Sequence, residues 1–362
     1  MDSVTQFTLG ACVGVAVLGR KIGPMRAALT GGILGTLPDM DVFFVSDDPI
    51  ESFVQHRSWS HSILVQALLT PVFGEAVRHI FKSLKPDRGL AWAAVFLCLA
   101  THSLLDATTI YGTQLLWPIW PEPFFLGSVF IIDPVYTLPL LVATLWALFV
   151  PRWKPSYGKV LVIALGLSSA YLAWTITAQQ FVAAKARAML AKHNIGPDQL
   201  IATPTPFNSY YWLAIGLDGD RTFNLYIPVF GGADDGNFYA YNRNLTLAAC
   251  LGGDRRIENV ARFSHGNYRM MIQDGEVSIA DLRMGLPPNY AFRFVLGRLE
   301  NGNFVPSPTR RLEGRGDIAT DLDWLSANLK GQVSVRPAEA DAKISFERYK
   351  SAGILPPFAT GC

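Results

Sequence analysis

The first half of the chain alternates long apolar runs with short polar loops. Runs of Leu, Ala, Val, Phe and Ile of this length are typical of helices that cross a membrane. They predict six helices, over residues 4–19, 24–38, 57–77, 89–110, 129–150 and 159–182. The first two helices are short and rich in glycine, which suits either close helix packing in lipid or a re-entrant hairpin.

The pattern changes near residue 185 to that of a soluble domain. Alternating apolar and polar positions predict strands over residues 211–217, 221–229, 277–282 and 291–296. Helical periodicity predicts short helices over residues 254–264 and 318–328. We therefore predict a mainly α membrane helical bundle of about six helices, followed by a C-terminal soluble α+β domain. The predicted parts are a membrane-embedded region, a linker and a soluble domain, at residues 1–184, 185–203 and 204–362. The linker is predicted to be helical to about residue 193.

Composition agrees with a membrane protein. Of the 362 residues, 50% are hydrophobic and 17% are charged, with a net charge of +2. This charge is too small, and the basic residues are too scattered, for a nucleic-acid surface. Membrane lipid is the expected partner, and no protein partner is indicated. Cys250 and Cys362 could form a disulfide if the soluble domain faces an oxidising compartment.

The basic residues of the first half predict how the helices are oriented. Apart from Arg57, all of them fall in three clusters, at residues 20–26, 78–88 and 152–159. Such clusters mark the cytoplasmic ends of membrane helices. We therefore expect a multi-pass protein of the bacterial cytoplasmic (inner) membrane, with loops 39–55 and 110–128 on the periplasmic or extracellular side. An inverted topology stays open, because Lys185 and Arg187 follow the last helix.

Acidic and imidazole groups lie between these clusters and could share one site. They are 13 to 22 residues from a basic cluster, which is about 20 to 33 Å along a helix. Mixed nitrogen and oxygen ligands suit zinc, manganese or iron(II) better than calcium or magnesium. The predicted metal ligands are Asp39, Asp41, His56, His61, His102 and Asp106.

Individual residues allow alternative interpretations. His102 and Asp106 are four residues apart and share a helix face, so they could ligate a metal together or form a buried pair that fixes helix packing. Asp133 is a candidate for supporting a ligand, but it could instead cap the helix that follows it. Arg57 could pair with an acid or bind an anionic substrate such as a phosphate.

These motifs, in this order, resemble those of the YdjM-like family of bacterial inner-membrane metal-dependent hydrolases. The family pattern combines a Pro-Asp-x-Asp element, a His-Arg-x-x-(Thr/Ser)-His element and a His-x-x-x-Asp element. The matching segments are Gly35 to Asp41, His56 to Ser62, Thr101 to Asp106, Thr109 with Gly112, Trp117-Pro118 and Asp133-Pro134. The resemblance covers about residues 5–180. Ser58 stands where the family often has glycine.

The resemblance implies a membrane-bound, metal-dependent hydrolase. We expect a divalent metal, zinc first, to activate a water in it. Because the predicted site lies near the bilayer surface, the expected substrate is a phosphoester or ester of a lipid or lipid-linked molecule. Asp39, Asp106 and Arg57 are the candidate catalytic residues, with either carboxylate as general base if it is not a ligand. The alternative is a non-catalytic membrane scaffold or stress-response binding protein, in which the polar cluster only holds helices together.

Overall fold

Apolar helices make up the first part of the chain, and antiparallel sheets dominate the rest. The computed structural model describes residues 1–44, 46–149, 152–231, 238–314 and 316–351. The chain divides into two compact units. Unit 1 comprises Met1–Val45, Gln55–Thr177 and Pro206–Asn208, and unit 2 comprises Ser46–Val54, Ala178–Thr205 and Ser209–Cys362. These units are defined by contacts within the structure, and they do not test the domain boundaries predicted from the sequence, which stay a prediction.

Seven α-helices occupy the described part of the chain before the first strand. They are α1 (Ser3–Ile22), α2 (Pro24–Thr36), α3 (Pro49–Gln55), α4 (Ile63–Ile80), α5 (Arg88–Ala107), α6 (Pro134–Phe149) and α7 (Pro155–Lys192). Among the described residues, α1, α4, α5 and α7 are long and apolar enough to cross a membrane, and α6 is apolar but shorter. Several apolar helices were predicted correctly, but a bundle of six spanning helices stays a prediction.

The structure corrects two predicted helix starts. The helix predicted from residue 57 begins at Ile63, because Arg57 has a positive φ of 61° that a helix cannot include, and Ser62 caps the helix by accepting a bond from the Val65 amide. The helix predicted from residue 129 begins at Pro134. Helix α7 continues to Lys192, and it thus contains both the apolar run that ends at residue 182 and the helical start of the predicted linker.

Glycines allow α1 and α2 to pack backbone against backbone. Gly10 and Gly14 of α1 face Gly31 and Gly35 of α2, and a Cβ atom built at Gly31 would lie 2.2 Å from the Gly10 carbonyl oxygen. No side chain fits in that space. The predicted close packing of these two helices is therefore present, and it requires glycine at these positions.

The three basic clusters of the sequence meet at one end of α1. Lys21 Nζ lies 2.7 Å from Asp87 Oδ2, which joins the first cluster to the second. The Arg20 guanidinium lies 5.3 Å from the ring centroid of Trp153, in the third cluster. At the other end of α1, the Asp2 carboxylate accepts bonds from the amides of Val4 and Thr5. Helix α1 thus separates a basic end from an end that carries no basic cluster.

Two four-stranded antiparallel sheets form most of the second part of the chain. The first has the order β1-β2-β3-β4 and the second the order β10-β9-β6-β5, with β7 and β8 as a separate pair. The strands are β1 (Gln199–Pro204), β2 (Tyr211–Asp218), β3 (Arg221–Pro228), β4 (Phe238–Asn242), β5 (Tyr268–Gln273), β6 (Glu276–Asp281), β7 (Gly285–Leu286), β8 (Asn289–Tyr290), β9 (Arg293–Glu300) and β10 (Asn303–Leu312). The helices are α8 (Leu245–Cys250), α9 (Arg255–Phe263), α10 (Ile318–Leu329) and α11 (Phe346–Ser351).

Unit 2 includes a short piece of chain from the first half of the sequence. Phe53 of α3 packs against the rings of Phe263, Phe292 and Phe294, with centroid distances of 4.7, 4.5 and 5.5 Å. Phe53 is 4% exposed, so it belongs to the core of this unit. In the same unit Cys250 is disulfide-bonded, whereas Cys12 and Cys98 of unit 1 are free thiols. Its predicted partner, Cys362, lies outside the described residues.

Candidate metal centre

Four side chains from three segments of unit 1 converge at the end of α1 that is remote from the basic clusters. Asp39 comes from a 3-10 helix (Pro38–Phe43) that follows α2, and His61 from a 3-10 helix (Trp59–His61) that precedes α4. His102 and Asp106 lie one turn apart on α5. Each of the four offers one ligand atom, and all four atoms lie within 4.8 Å of one another.

The distances between these atoms are close to the edges of one tetrahedron. His61 Nε2 lies 3.0 Å from His102 Nε2, 3.3 Å from Asp39 Oδ1 and 3.2 Å from Asp106 Oδ2. His102 Nε2 lies 3.4 Å from each of the same two carboxylate oxygens. Tetrahedral zinc with bonds of about 2.0 to 2.1 Å sets its ligand atoms about 3.4 Å apart. Five of the six edges therefore match the spacing that one such ion requires.

Hydrogen bonds to the other ring nitrogens assign the tautomers of both histidines. His102 Nδ1 lies 2.5 Å from the Gly35 carbonyl oxygen, which can only accept, so Nδ1 carries the proton. Ser60 Oγ donates to Asp41 Oδ2 and therefore accepts from His61 Nδ1, at 2.9 Å. In the neutral rings both Nε2 atoms then present lone pairs to each other and to two carboxylates. A cation between them removes that repulsion.

Burial makes an unneutralised cluster costly. His61 and Asp106 are fully buried and His102 is 1% exposed, whereas the side chain of Asp39 is 23% exposed. Asp106 Oδ2 is buried and, in the described part of the chain, accepts no hydrogen bond. Arg57 Nε lies 3.1 Å from this oxygen, and a bound cation would supply further positive charge to the two carboxylates. The donor set and its burial thus fit a divalent metal, with Asp39 on the open side.

The second oxygen of Asp106 is held by α1. Gln6 Nε2 donates to Asp106 Oδ1 at 2.8 Å, and the nitrogen of Met1 also contacts this oxygen. Gln6 is 1% exposed. Sequence reasoning missed Gln6, although a single amide in an otherwise apolar stretch of helix was a usable sign. Gln6 fixes the orientation of the carboxylate and leaves Oδ2 directed at the histidines.

Asp41 and His56 lie next to the four-residue group and not within it. His56 Nδ1 lies 3.0 Å from Asp41 Oδ1, and Asp41 Oδ2 accepts bonds from the Arg57 amide at 2.9 Å and from Ser60 Oγ. Burial raises the pKa of Asp41, but the neighbouring imidazole of His56 and these bonds outweigh it and hold the pKa below its usual range. Asp41 thus fixes the loop that carries His61. Metal ligation by this pair stays a prediction.

Arg57 completes the charge distribution around Asp106. Its Nε lies 3.1 Å from Asp106 Oδ2, and its Nη1 donates to Thr109 Oγ1 at 3.1 Å. The guanidinium also lies 5.0 Å from the ring centroid of Tyr111. Two roles were predicted for Arg57, pairing with an acid and binding an anionic substrate. The structure contains the first, as the ion pair with Asp106, and the second stays a prediction.

Asp133 lies at the beginning of α6. Its Oδ1 accepts bonds from the amides of Val135 and Tyr136, and its Oδ2 accepts one from Tyr171 Oη at 2.8 Å. These are the contacts of a helix cap, which was the alternative interpretation of this residue. Burial raises the pKa of Asp133 above its usual value. The hydrogen bonds from Tyr171 and the two amides lower the pKa, but by less than burial raises it. Support of a metal ligand by Asp133 stays a prediction.

Large apolar side chains are exposed on the segments that carry the site. Phe43 and Phe44, directly after Asp39 and Asp41, are 72% and 70% exposed. Trp59 beside His61 is 41% exposed, and its ring centroid lies 6.3 Å from that of Phe44. Aromatic side chains are enriched where a membrane protein meets the lipid–water interface. This surface is therefore suited to contact with lipid.

Comparison with known proteins gives one match. Neither the curated proteins nor the solved structures include a match to this chain. The family described as YdjM inner membrane protein matches residues 1–182, which is half of the chain and contains all four residues of the metal centre. The resemblance found in the motifs is confirmed, and the chain belongs to the YdjM inner membrane protein family.

Proposed function

We propose that the protein is a membrane-bound, metal-dependent hydrolase that acts on a phosphoester or ester of a lipid or lipid-linked substrate. The observation that carries this proposal is the convergence of four candidate ligand atoms, three of them on buried residues, with five of their six separations between 3.0 and 3.4 Å. A scaffold that used these residues only to hold helices together would gain more from hydrogen-bonded or apolar partners.

The ligands in this proposal are His61, His102 and Asp106, which leaves the fourth tetrahedral position, on the side of Asp39, for a water. Zinc is the preferred metal because imidazole and carboxylate donors at tetrahedral spacing suit it, and manganese or iron(II) would use the same donors. A divalent metal bound there supplies Lewis acidity toward a phosphoryl or acyl oxygen and lowers the pKa of a water at neutral pH. Asp41 and His56 act through the loop that carries His61.

The protein's own residues supply orientation, charge and a base. Asp39 is the member of the group on the open side, and its carboxylate is the proposed proton acceptor for the attacking water. Arg57 provides positive charge beside Asp106, which favours a substrate with an anionic group such as a phosphoester. The exposed aromatic residues next to the ligands favour a substrate that is presented at a lipid surface.

We further propose that the site and the C-terminal domain face the periplasmic or extracellular side of the inner membrane. The basic clusters meet at the end of α1 away from the site, as expected if that end is cytoplasmic. The disulfide at Cys250 also favours this orientation, since disulfides persist in oxidising compartments.

Elemental analysis of the purified full-length protein tests the metal. We expect about one divalent ion per chain, and loss of that ion in His102→Ala and Asp106→Asn. The matched control is His79→Ala, because His79 is an exposed histidine of a membrane helix whose ring contacts the Glu75 carbonyl oxygen. The absence of stoichiometric metal from the unmutated protein would leave the structural scaffold as the better description.

Hydrolysis is tested separately with fluorescent phospholipids and chromogenic phosphodiesters in detergent or nanodiscs. We expect turnover that a chelator abolishes and that added zinc or manganese restores. Asp39→Asn is expected to lower kcat by two or more orders of magnitude, because it removes the proposed base. A metal-loaded protein that hydrolyses none of these ester classes would contradict the enzymatic proposal.

A further inference from the structure

A second polar site lies at the basic end of unit 1, at the far end of α1 from the metal centre. A cavity of about 470 Å³ opens there between the end of α1, the start of α2 and the segment before α7. Its lining combines three arginines with a tryptophan and small or apolar residues: Gly19, Arg20, Ile22, Gly23, Met25, Arg26, Arg152 and Trp153. No carboxylate is among these lining residues.

The arginines of this cavity have few anionic neighbours in the described chain. The Arg20 guanidinium lies 5.3 Å from the ring centroid of Trp153, and the ion pairs of the described residues do not include Arg20. For Arg26 and Arg152 the described contacts contain no ion pair, whereas the neighbouring Lys21 is paired with Asp87 at 2.7 Å. Three guanidinium groups around one cavity without an acid form a site of strong positive potential.

The backbone and Trp153 add to this arrangement. Helix α2 begins at Pro24, which has no N–H, and the amides of Met25 and Arg26 that follow have no acceptor within the helix. These two amides favour an anion at that end. The Trp153 ring lies against Gly19 and Gly158, where a Cβ atom would come within 3.0 and 2.9 Å of it. The ring is therefore held in place by packing. Met25, which is 41% exposed, gives the rim an apolar surface.

We propose that this cavity binds the phosphate head group of an anionic phospholipid, with Arg20, Arg26 and Arg152 contacting the phosphate and Met25 and Trp153 contacting the glycerol and upper acyl region. Guanidinium groups match phosphate oxygens in pairs. Basic pockets at the cytoplasmic ends of membrane helices are suited to such head groups, since the acidic lipids of that leaflet supply them. The site is independent of the metal centre and of the proposed hydrolysis.

Native mass spectrometry of the full-length protein, titrated with phosphatidylglycerol or with phosphatidylcholine, tests this proposal. We expect one phosphatidylglycerol molecule to remain bound, and binding about 30-fold weaker in Arg26→Gln/Arg152→Gln, since each basic residue near an anionic head group contributes roughly fivefold. Lys82→Gln/Lys85→Gln removes the same charge from another basic cluster and is expected to change binding less than threefold. A monodisperse peak in size-exclusion chromatography and an unchanged thermal unfolding midpoint serve as the check that the variants are folded.

Three results would overturn the assignment. Equal retention of phosphatidylcholine, whose phosphate charge is balanced by its choline group, would show that the cavity does not select an anionic lipid. Equal losses in the two double variants would show diffuse attraction by net charge. Displacement of phosphatidylglycerol by an equal concentration of inorganic phosphate would assign the cavity to a free anion. Failure of inorganic phosphate to compete, together with the selective loss in Arg26→Gln/Arg152→Gln, would support the lipid.

Discussion

Asp106 shows how neutral side chains control a charged centre. Its Oδ1 accepts a hydrogen bond from the Gln6 side-chain amide, and its Oδ2 faces the imidazoles of His61 and His102 and the guanidinium of Arg57. A carboxylate that is fixed in this way loses little conformational freedom when it binds a cation. Neutral residues that orient ligands in such sites typically contribute 10- to 100-fold to metal affinity.

We therefore expect Gln6→Leu to weaken metal binding about 10- to 100-fold while the chain remains folded. Leucine has nearly the same volume but cannot donate to Asp106. Competition with a graded chelator measures the affinity. Gln179→Leu is the matched control, because Gln179 is also a buried helical amide, bonded to the Ala202 carbonyl oxygen at 2.8 Å in unit 2. An unchanged affinity in Gln6→Leu would remove the orienting role.

The members of the metal centre were easier to predict than their supports. The spacing of His102 and Asp106 indicated one helix face, and the positions of Asp39 and His61 indicated the same depth. The Gly35 carbonyl oxygen that binds His102 Nδ1 could not be predicted, since every residue has a carbonyl and only the packing of α2 on α5 selects this one. The same holds for the separation of Asp41 and His56 from the group, which depends on loop geometry.

At the level of elements, the contact between α1 and α2 is the most constrained. Gly31→Ala would place a Cβ atom 2.2 Å from the Gly10 carbonyl oxygen. Because this oxygen belongs to the backbone of α1, it cannot move away by a side-chain rotation. We expect a loss of about 2 to 3 kcal/mol in stability. Thermal unfolding in detergent, followed by loss of the monodisperse peak in size-exclusion chromatography, measures the change.

Gly166→Ala provides the control for the effect of alanine itself. Gly166 lies within α7, and a Cβ atom built there meets nothing within 4 Å. Alanine favours a helix over glycine by about 1 kcal/mol, so this variant is expected to be neutral or slightly stabilised. Equal destabilisation of both variants would mean that close packing of the two helices is not the cause.

The predicted elements failed where a local backbone feature overrode the apolar pattern. Residues 57–62 continue the periodicity of α4, yet the positive φ of Arg57 and the cap at Ser62 keep them out of the helix. That departure places His61 beside His102.

At the level of the whole molecule, the orientation in the membrane is the property that most needs a direct test. We expect a membrane-impermeant thiol reagent to label Asp47→Cys in cells whose outer membrane alone is permeabilised, since residue 47 is on the proposed periplasmic side. Ser83→Cys, an exposed position between α4 and α5, is expected to react only after the inner membrane is opened. The reverse pattern would show that the topology is inverted.

The segment Ser46–Val54 affects how the protein can be divided. It lies in sequence between Asp39 and His61, yet it belongs to the second unit, where Phe53 fills an aromatic pocket made by residues 263, 292 and 294. In a chain truncated near residue 200, Phe53 and Ile50 would lose the unit 2 residues that bury them, and they would be exposed in the segment between Asp39 and His61. Experiments on the metal centre should therefore use the full chain. A shorter protein that keeps these helices would need other apolar residues to cover Phe53 and Ile50.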